Sequence, residues 1–353
     1  MATATIETVL GPVELSKLGR TLTHEHLSLD FHQFYVPPPE PLVNYLNKKI
    51  LLNNVGYIKQ YPYSSRYNLS FYDEDATRAV MEDVKIYKKH GGGTIVDNTC
   101  NGINRDLSFM KKISADSEVH VILGCGYYVE ATQTPSTLKL TEEQMHDVML
   151  TELTEGCIED ASLKAGFIGE VGSSWPMTEF EKTAIRATAS VQGELGCPVT
   201  FHPGRNARAP FEIMRIYLES GGDPKKAIMS HLDRTLTMKE DLLEFAKFGC
   251  FCQFDLFGIE CSYYQLDEST EMPSDAERLN RIKWICEERG VHQILMSHDI
   301  HTKHRLIQFG GHGYSHILTN VIPRMFSKGF TNQDIDAITL ENPRTWLTWK
   351  NPQ

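Results

Sequence analysis

No window of this sequence approaches the ~18 consecutive apolar residues that a membrane-spanning helix needs. A surplus of positive charge is missing too. The 35 lysines and arginines are outnumbered by 46 aspartates and glutamates, and the net charge of −11 counts against a nucleic-acid surface or an anionic membrane surface. The start, Met1-Ala2-Thr3-Ala4-Thr5-Ile6-Glu7, has neither the basic opening nor the apolar run of a secretory signal, so a cytoplasmic protein is expected. The eight cysteines form no C-x2-C pair, and Cys250-Phe251-Cys252 lies in an apolar strand-like run. Reduced, buried thiols are expected, not a disulfide framework or a thiolate metal clip. No Gly-x-Gly-x-x-Gly follows the first strand, which leaves the runner-up fold, an open doubly wound sheet, without support.

What is present is a regular alternation of short apolar runs and amphipathic segments. Strands are expected at Thr21–His26, Thr94–Asp97, Val119–Leu123, Gly166–Glu170, Pro198–His202, Ala227–His231, Phe251–Asp255 and Gln293–Ser297. Between them come helices. One is announced by Ala76, Val80, Val84 and Tyr87 on a single face with Gly91 as its stop, and others by the capping boxes Thr141-x-x-Gln144, Thr178-x-x-Glu181 and Ser274-x-x-Glu277. Eight strand–helix units predict an α/β fold, a closed (β/α)8 TIM barrel forming one domain over 1–353. Ahead of it, Ile6 to Val13 reads as a hairpin turning at Gly11-Pro12. After the first strand, residues 31–71 show no clean period and are crowded with proline and aromatics, so they read as a long insertion, either a lid or a packing flap.

The first strand carries His24 and His26. Side chains at i and i+2 of a strand share a face, so both imidazoles can reach one ion. A lone His-x-His also arises by accident on half-buried strands. Four further potential ligands change its weight, because Glu170, His202, His231 and Asp299 each end a strand-like segment, and in a (β/α)8 barrel those ends converge on the active site. Four imidazoles and two carboxylates exceed the needs of one tetrahedral ion. Two divalent ions per chain are therefore expected, with Glu170 bridging, His24, His26 and Asp299 on one ion, and His202 and His231 on the other. A water between them, its pKa drawn toward neutrality, would be the nucleophile, with Asp299 as the catalytic acid and base. Zinc leads the metals such ligands suit, with manganese, iron and cobalt also compatible. Cations near the expected barrel mouth are Arg205 and Arg208, after His202, and Lys303, His304 and Arg305, after Asp299. Arg205, Lys303 and Tyr128, beside Tyr127, are the candidates there for contact with a substrate.

Thr23-His24-Glu25-His26, Ala165-Gly166-Phe167-Ile168-Gly169-Glu170, Thr200-Phe201-His202, Ser230-His231, Ser297-His298-Asp299 and Gly310-Gly311-His312-Gly313-Tyr314 together make the chain resemble the phosphotriesterase family of the amidohydrolase superfamily over nearly its whole length. The resemblance implies a binuclear metal hydrolase on a (β/α)8 barrel. In the bacterial triesterases of that family the bridging position holds a carboxylated lysine. This chain carries Glu170 there, as the family's eukaryotic branch does, and the departure puts triester hydrolysis in doubt. For that branch the resemblance implies cleavage of N-acyl taurines, notably N-acetyltaurine, to taurine and a carboxylate. The expected partner is thus a small anionic N-acyl amine, with no nucleic acid or membrane, in a monomer or homodimer. A lactone or phosphotriester hydrolase is the alternative within the same chemistry, and a non-catalytic barrel the alternative outside it.

Overall fold

The computed structural model describes residues 4–261 and 263–349. Eight parallel strands follow one another in chain order around the sheet: β1 (Arg20–Glu25), β2 (Gly92–Asp97), β3 (His120–Cys125), β4 (Phe167–Gly172), β5 (Val199–His202), β6 (Ala227–Met229), β7 (Phe251–Phe254) and β8 (Ile294–Met296). Glu25 joins the first strand to the region after the last. Its buried carboxylate accepts hydrogen bonds from Ser297 Oγ (2.8 Å), His298 N (2.8 Å) and Ile300 N (3.1 Å), while His24 N donates to Ser297 Oγ (3.0 Å). The result is the nearly closed (β/α)8 barrel expected.

Alternation along each strand decides what fills the barrel and what faces the helices. Ile95, Val121, Val199, Met229, Cys252 and Ile294 pack in the large apolar core between strands and helices. Their neighbours Val96, Ile122, Ile228, Phe251 and Leu295 belong to a second cluster, which Trp346 and Leu347 of the C-terminal helix Asn342–Leu347 and Ile6 of the N-terminal hairpin complete. Further along the same strands the alternating positions turn polar, from Ile228 to Ser230, Phe251 to Gln253 and Asp255, and Leu295 to Ser297. One end of the barrel is thus sealed with hydrocarbon and the other lined with groups that bond.

The helix expected from Asp73 runs Glu74–Lys89, buries Ala76, Val80, Val84 and Tyr87, and is capped by Asp73 accepting from Ala76 N. Both capping boxes at Thr141 and Thr178 form. At Ser274 only half does, because Glu277 turns to Asn280 (3.1 Å) and Arg281 (3.4 Å) instead of reaching back. The hairpin also departs from expectation: Thr5–Thr8 pairs with Gly11–Glu14, so Gly11 and Pro12 lie in the second strand and Val9-Leu10 forms the turn. The Thr8 hydroxyl, 2.6 Å from the Gly11 carbonyl, closes that loop, and Gly11 supplies the positive φ (+101°) it needs. Residues 31–71 form short helices (Val43–Leu46, Val55–Gln60) and single 3-10 turns. Leu46, Ile58, Tyr63, Leu69 and Phe71 are buried, and the two ends are tied by Phe31 N to Leu69 O (2.8 Å) and Phe71 N to Leu29 O (3.1 Å). Among the described residues no helix is long and apolar enough to cross a membrane.

Candidate metal centre and active site

All six expected ligands are buried and meet at the polar end of the barrel. His24 and Glu170 project from β1 and β4, His26 follows the last residue of β1, and His202 ends β5. His231 and Asp299 lie just beyond β6 and β8, each with positive φ (56° and 51°), a conformation that costs a residue with a Cβ about 1–3 kcal/mol and tends to be kept where function demands it.

Each of the four imidazoles turns one nitrogen outward to a partner and the other inward, Nε2 inward in His24, His26 and His231 and Nδ1 inward in His202. His231 Nδ1 is 2.7 Å from Asp255 Oδ1, His24 Nδ1 is 3.2 Å from Asp255 Oδ2, His26 Nδ1 is 2.9 Å from Thr99 Oγ1, and His202 Nε2 is 3.3 Å from the Tyr128 hydroxyl. In each ring the outer nitrogen has an oxygen to receive its proton, so the inner nitrogen keeps its lone pair, as a metal ligand must.

Those inner atoms fall into two overlapping groups. His26 Nε2 lies 3.2 Å and His24 Nε2 3.8 Å from Asp299 Oδ1. On the other side, His202 Nδ1 lies 3.0 Å and His231 Nε2 3.6 Å from Glu170 Oε2, and the two nitrogens are 2.8 Å apart. Glu170 faces both groups, with Oε1 3.6 Å from His26 Nε2 and Oε2 3.4 Å from His24 Nε2. Ligands held ~2.1 Å from one ion stand about 3.0–3.4 Å from each other, so the spacing suits metal coordination. Two facing lone pairs, or a lone pair facing a carboxylate, repel unless a cation lies between them, and buried His24 Nε2 has no hydrogen-bond partner. The sets His24–His26–Asp299 and His24–Glu170–His231 could each hold an ion.

The electrostatics agree. Burial alone would raise the Glu170 and Asp299 carboxyls, yet the imidazoles beside them (His24 and His202 for Glu170; His301, His26 and His24 for Asp299) hold both well below the usual range. Burial pushes His202 down to about 3 and so keeps it neutral. Burial would also lower His24, but Glu170 and Asp255 override it and raise the ring well above its ordinary value. Carboxylates this close demand positive charge, and a divalent ion can take the place of that proton.

A narrow cavity of about 30 Å³ opens beside the cluster, lined in part by Phe31, Tyr63, Tyr128, Arg205 and Asp299. Tyr128 and Arg205 therefore face the centre as expected, whereas Tyr127 packs edge-on against Phe180. Lys303 does not face it. The 3-10 turn Lys303–Arg305 directs its ammonium to Asp73 and over the Tyr67 ring (3.5 Å), so it fastens the insertion to the barrel. Arg208 is exposed, His304 bonds Asn68 (3.1 Å), and Arg305 donates to the Asp299 and His298 carbonyls.

Three site residues escaped the sequence reading. Asp255 bonds two ligand histidines at once. Its signal was its place at a strand end, the same as that of His202. His301 Nδ1 lies 3.1 Å from Asp299 Oδ2, and its Nε2 is 2.9 Å from the hydroxyl of Tyr63 in the insertion. Arg234, in the turn after His231, lines the same cavity.

The phosphotriesterase family model matches residues 4–347. The chain is 54% identical over 354 residues to a phosphotriesterase-related protein of Aedes aegypti, covering 98% of this chain and 99% of that one, and 49% identical over 347 residues to one of Drosophila melanogaster, with coverage of 98% and 99%. A crystal structure of a resiniferatoxin-binding protein from Rhodobacter sphaeroides superposes with a TM-score of 0.92 at 29% identity, covering 98% of this chain and 95% of that one. A barrel whose strand ends converge on four histidines, a glutamate and an aspartate, matched over almost its full length, identifies the chain as a hydrolase of the phosphotriesterase family.

Proposed function

We propose that this chain hydrolyses the amide bond of N-acyl taurines, notably N-acetyltaurine, using two divalent ions, zinc first among them. His24, His26 and Asp299 would hold one ion, His202 and His231 the other, with Glu170 between them. Bound there, such ions supply Lewis-acid polarisation of a carbonyl and lower the pKa of water toward neutrality.

The chain's own residues do the rest. Asp255 and Thr99 hold His24, His26 and His231 with the proton on Nδ1, and Tyr128 holds His202 with it on Nε2. Asp299 accepts the proton of the attacking water as the new C–O bond forms and delivers it to the amide nitrogen as the C–N bond breaks, because an amine leaves only when protonated. His301, braced by the Tyr63 hydroxyl, orients Asp299 from behind. Phe31 and Tyr63 reach the cavity from insertion 31–71, which is therefore assigned the role of lid.

The observation that carries this reading is the placing of Arg205 in one small cavity with His26, Glu170, His202, His231 and Asp299, five of the six candidate ligands: a cationic fork for an anionic tail beside the centre that would cleave the acyl bond. A panel of N-acetyltaurine, N-acetyl amino acids, a lactone and a phosphotriester on one metal-replete preparation tests it. N-acetyltaurine should show the highest kcat/KM. Faster turnover of the lactone or triester would overturn the amidase reading, and metal binding with no turnover of any of them would leave a binding barrel.

A further inference from the structure

Several arginines with buried side chains are paired with acids, and Arg305, which is not, donates to the Asp299 and His298 carbonyls. Arg105 meets Glu152 (2.6 Å), and Arg278 meets Asp233 and Asp275 (both 2.8 Å). Arg234 is as deeply buried, at 4% exposure, and has no carboxylate partner among the described residues. Its guanidinium makes two long contacts, to Thr235 Oγ1 and the Pro203 carbonyl (both 3.3 Å), while the adjacent Asp233 is engaged by Arg278. Arg205, half-buried, likewise has no carboxylate partner among the described residues and donates only to the Tyr264 hydroxyl (3.0 and 3.3 Å). Burying a guanidinium without a counter-charge is costly, and hydrogen bonds of this length leave much of that cost uncompensated. Both side chains line the one cavity that also exposes Glu170, His202, His231 and Asp299.

We infer that Arg234 and Arg205 form a two-guanidinium clamp that receives the terminal oxyanion of the substrate beside the catalytic centre. Two forks offer more N–H donors than a carboxylate can fill and suit the three oxygens of a sulfonate. Arg234 is thus a specificity-determining residue, and its place in the turn after His231 ties the anion's position to that of a ligand histidine. The inference rests on the amidase reading for the rest of the substrate, but the anion site itself does not.

Calorimetric titration of metal-replete wild type, Arg234→Gln and Arg205→Gln with ethanesulfonate, propionate and the neutral ethyl methyl sulfone tests it. Ethanesulfonate should bind wild type more tightly than propionate or the sulfone, and its Kd should rise about 10- to 100-fold in either variant. Equal Kd in all three proteins, or sulfone binding as tight as sulfonate, would overturn the clamp. Because Arg234 has no acid to lose, Arg234→Gln should melt no lower than wild type. A markedly lower Tm would show that Arg234 is a structural group, and would overturn its assignment. In turnover, the preference for N-acetyltaurine over N-ethylacetamide should fall by a similar factor in each variant. Lost ethanesulfonate binding in a protein that hydrolyses no acyl amine would sustain the clamp and remove the amidase reading, and an unchanged preference in an active Arg234→Gln enzyme would do the reverse.

Discussion

Asp255 shows how much of a metal site lies one layer behind its ligands. Its two oxygens serve His231 and His24, the second of which belongs to both candidate ligand sets, so one carboxylate sets the tautomer of both. Asp255→Asn puts an amide where two N–H groups need an acceptor, and metal affinity should fall about 10–100-fold, read by competition with a chelator. Unchanged affinity would mean the imidazoles hold their orientation without it. Asp299→Asn should leave the fold intact and lower turnover by roughly 10²–10⁴-fold, the usual worth of general acid–base catalysis. Near wild-type turnover would remove Asp299 from the proton path. These roles differ in how far a sequence exposes them. Histidines at strand ends declare themselves because few other duties explain four of them, whereas a single aspartate at a strand end looks like any solvated acid. Lys303 misled for the converse reason: closeness in the chain to Asp299 says nothing about direction, and one 3-10 turn sends the ammonium away from the cavity.

The elements were the most legible level. Apolar runs bounded by turns located all eight strands to within a few residues, since alternation follows directly from one face meeting helices and the other the barrel interior. The hairpin turn was misplaced because Gly-Pro is a frequent turn pair, while the Thr8 hydroxyl that moves the turn to Val9-Leu10 has no local signature. The insertion stayed opaque because its order comes from contacts distant in sequence, such as Tyr67 beneath Lys303 and Tyr63 on His301. A further long-range tie joins the helix Glu74–Lys89 to the segment after β8, where Asp83 accepts from Ile307 N (3.0 Å). Burial pushes Asp83 up to about 7. An acid whose native pKa exceeds its unfolded value of ~3.9 stabilises the fold at low pH, and that contribution is lost as pH rises through about 7. Asp83→Asn keeps the acceptor and removes the titration, so its denaturation free energy should lack a decline of up to about 4 kcal/mol between pH 4 and 7 that wild type shows. Matching pH profiles would refute that role for Asp83.

At the scale of the whole molecule, the barrel divides labour between its ends: Trp346 and the hydrocarbon cluster seal one, and the insertion and the turns after the strands cover the other. Chain length and acidic composition left room for other architectures. Eight strand–helix units with ligands at matching ends did not. Specificity was less legible, because Arg234 belongs to the site through burial and the lack of an acid partner, and neither can be read from one dimension. The proposed chemistry depends on two ions held across Glu170. A glutamate carries a bridging charge without the carbon dioxide that a carboxylated lysine needs, so assembly should be indifferent to bicarbonate. Glu170→Gln removes one negative charge and leaves a poor bridge, with two cations facing each other less compensated. Elemental analysis of dialysed wild type and Glu170→Gln, each reconstituted with and without bicarbonate, measures this directly. Wild type should hold two divalent ions per chain in either case and the variant fewer than two; a variant that keeps both ions, or a wild type that needs bicarbonate to bind them, would contradict the bridge.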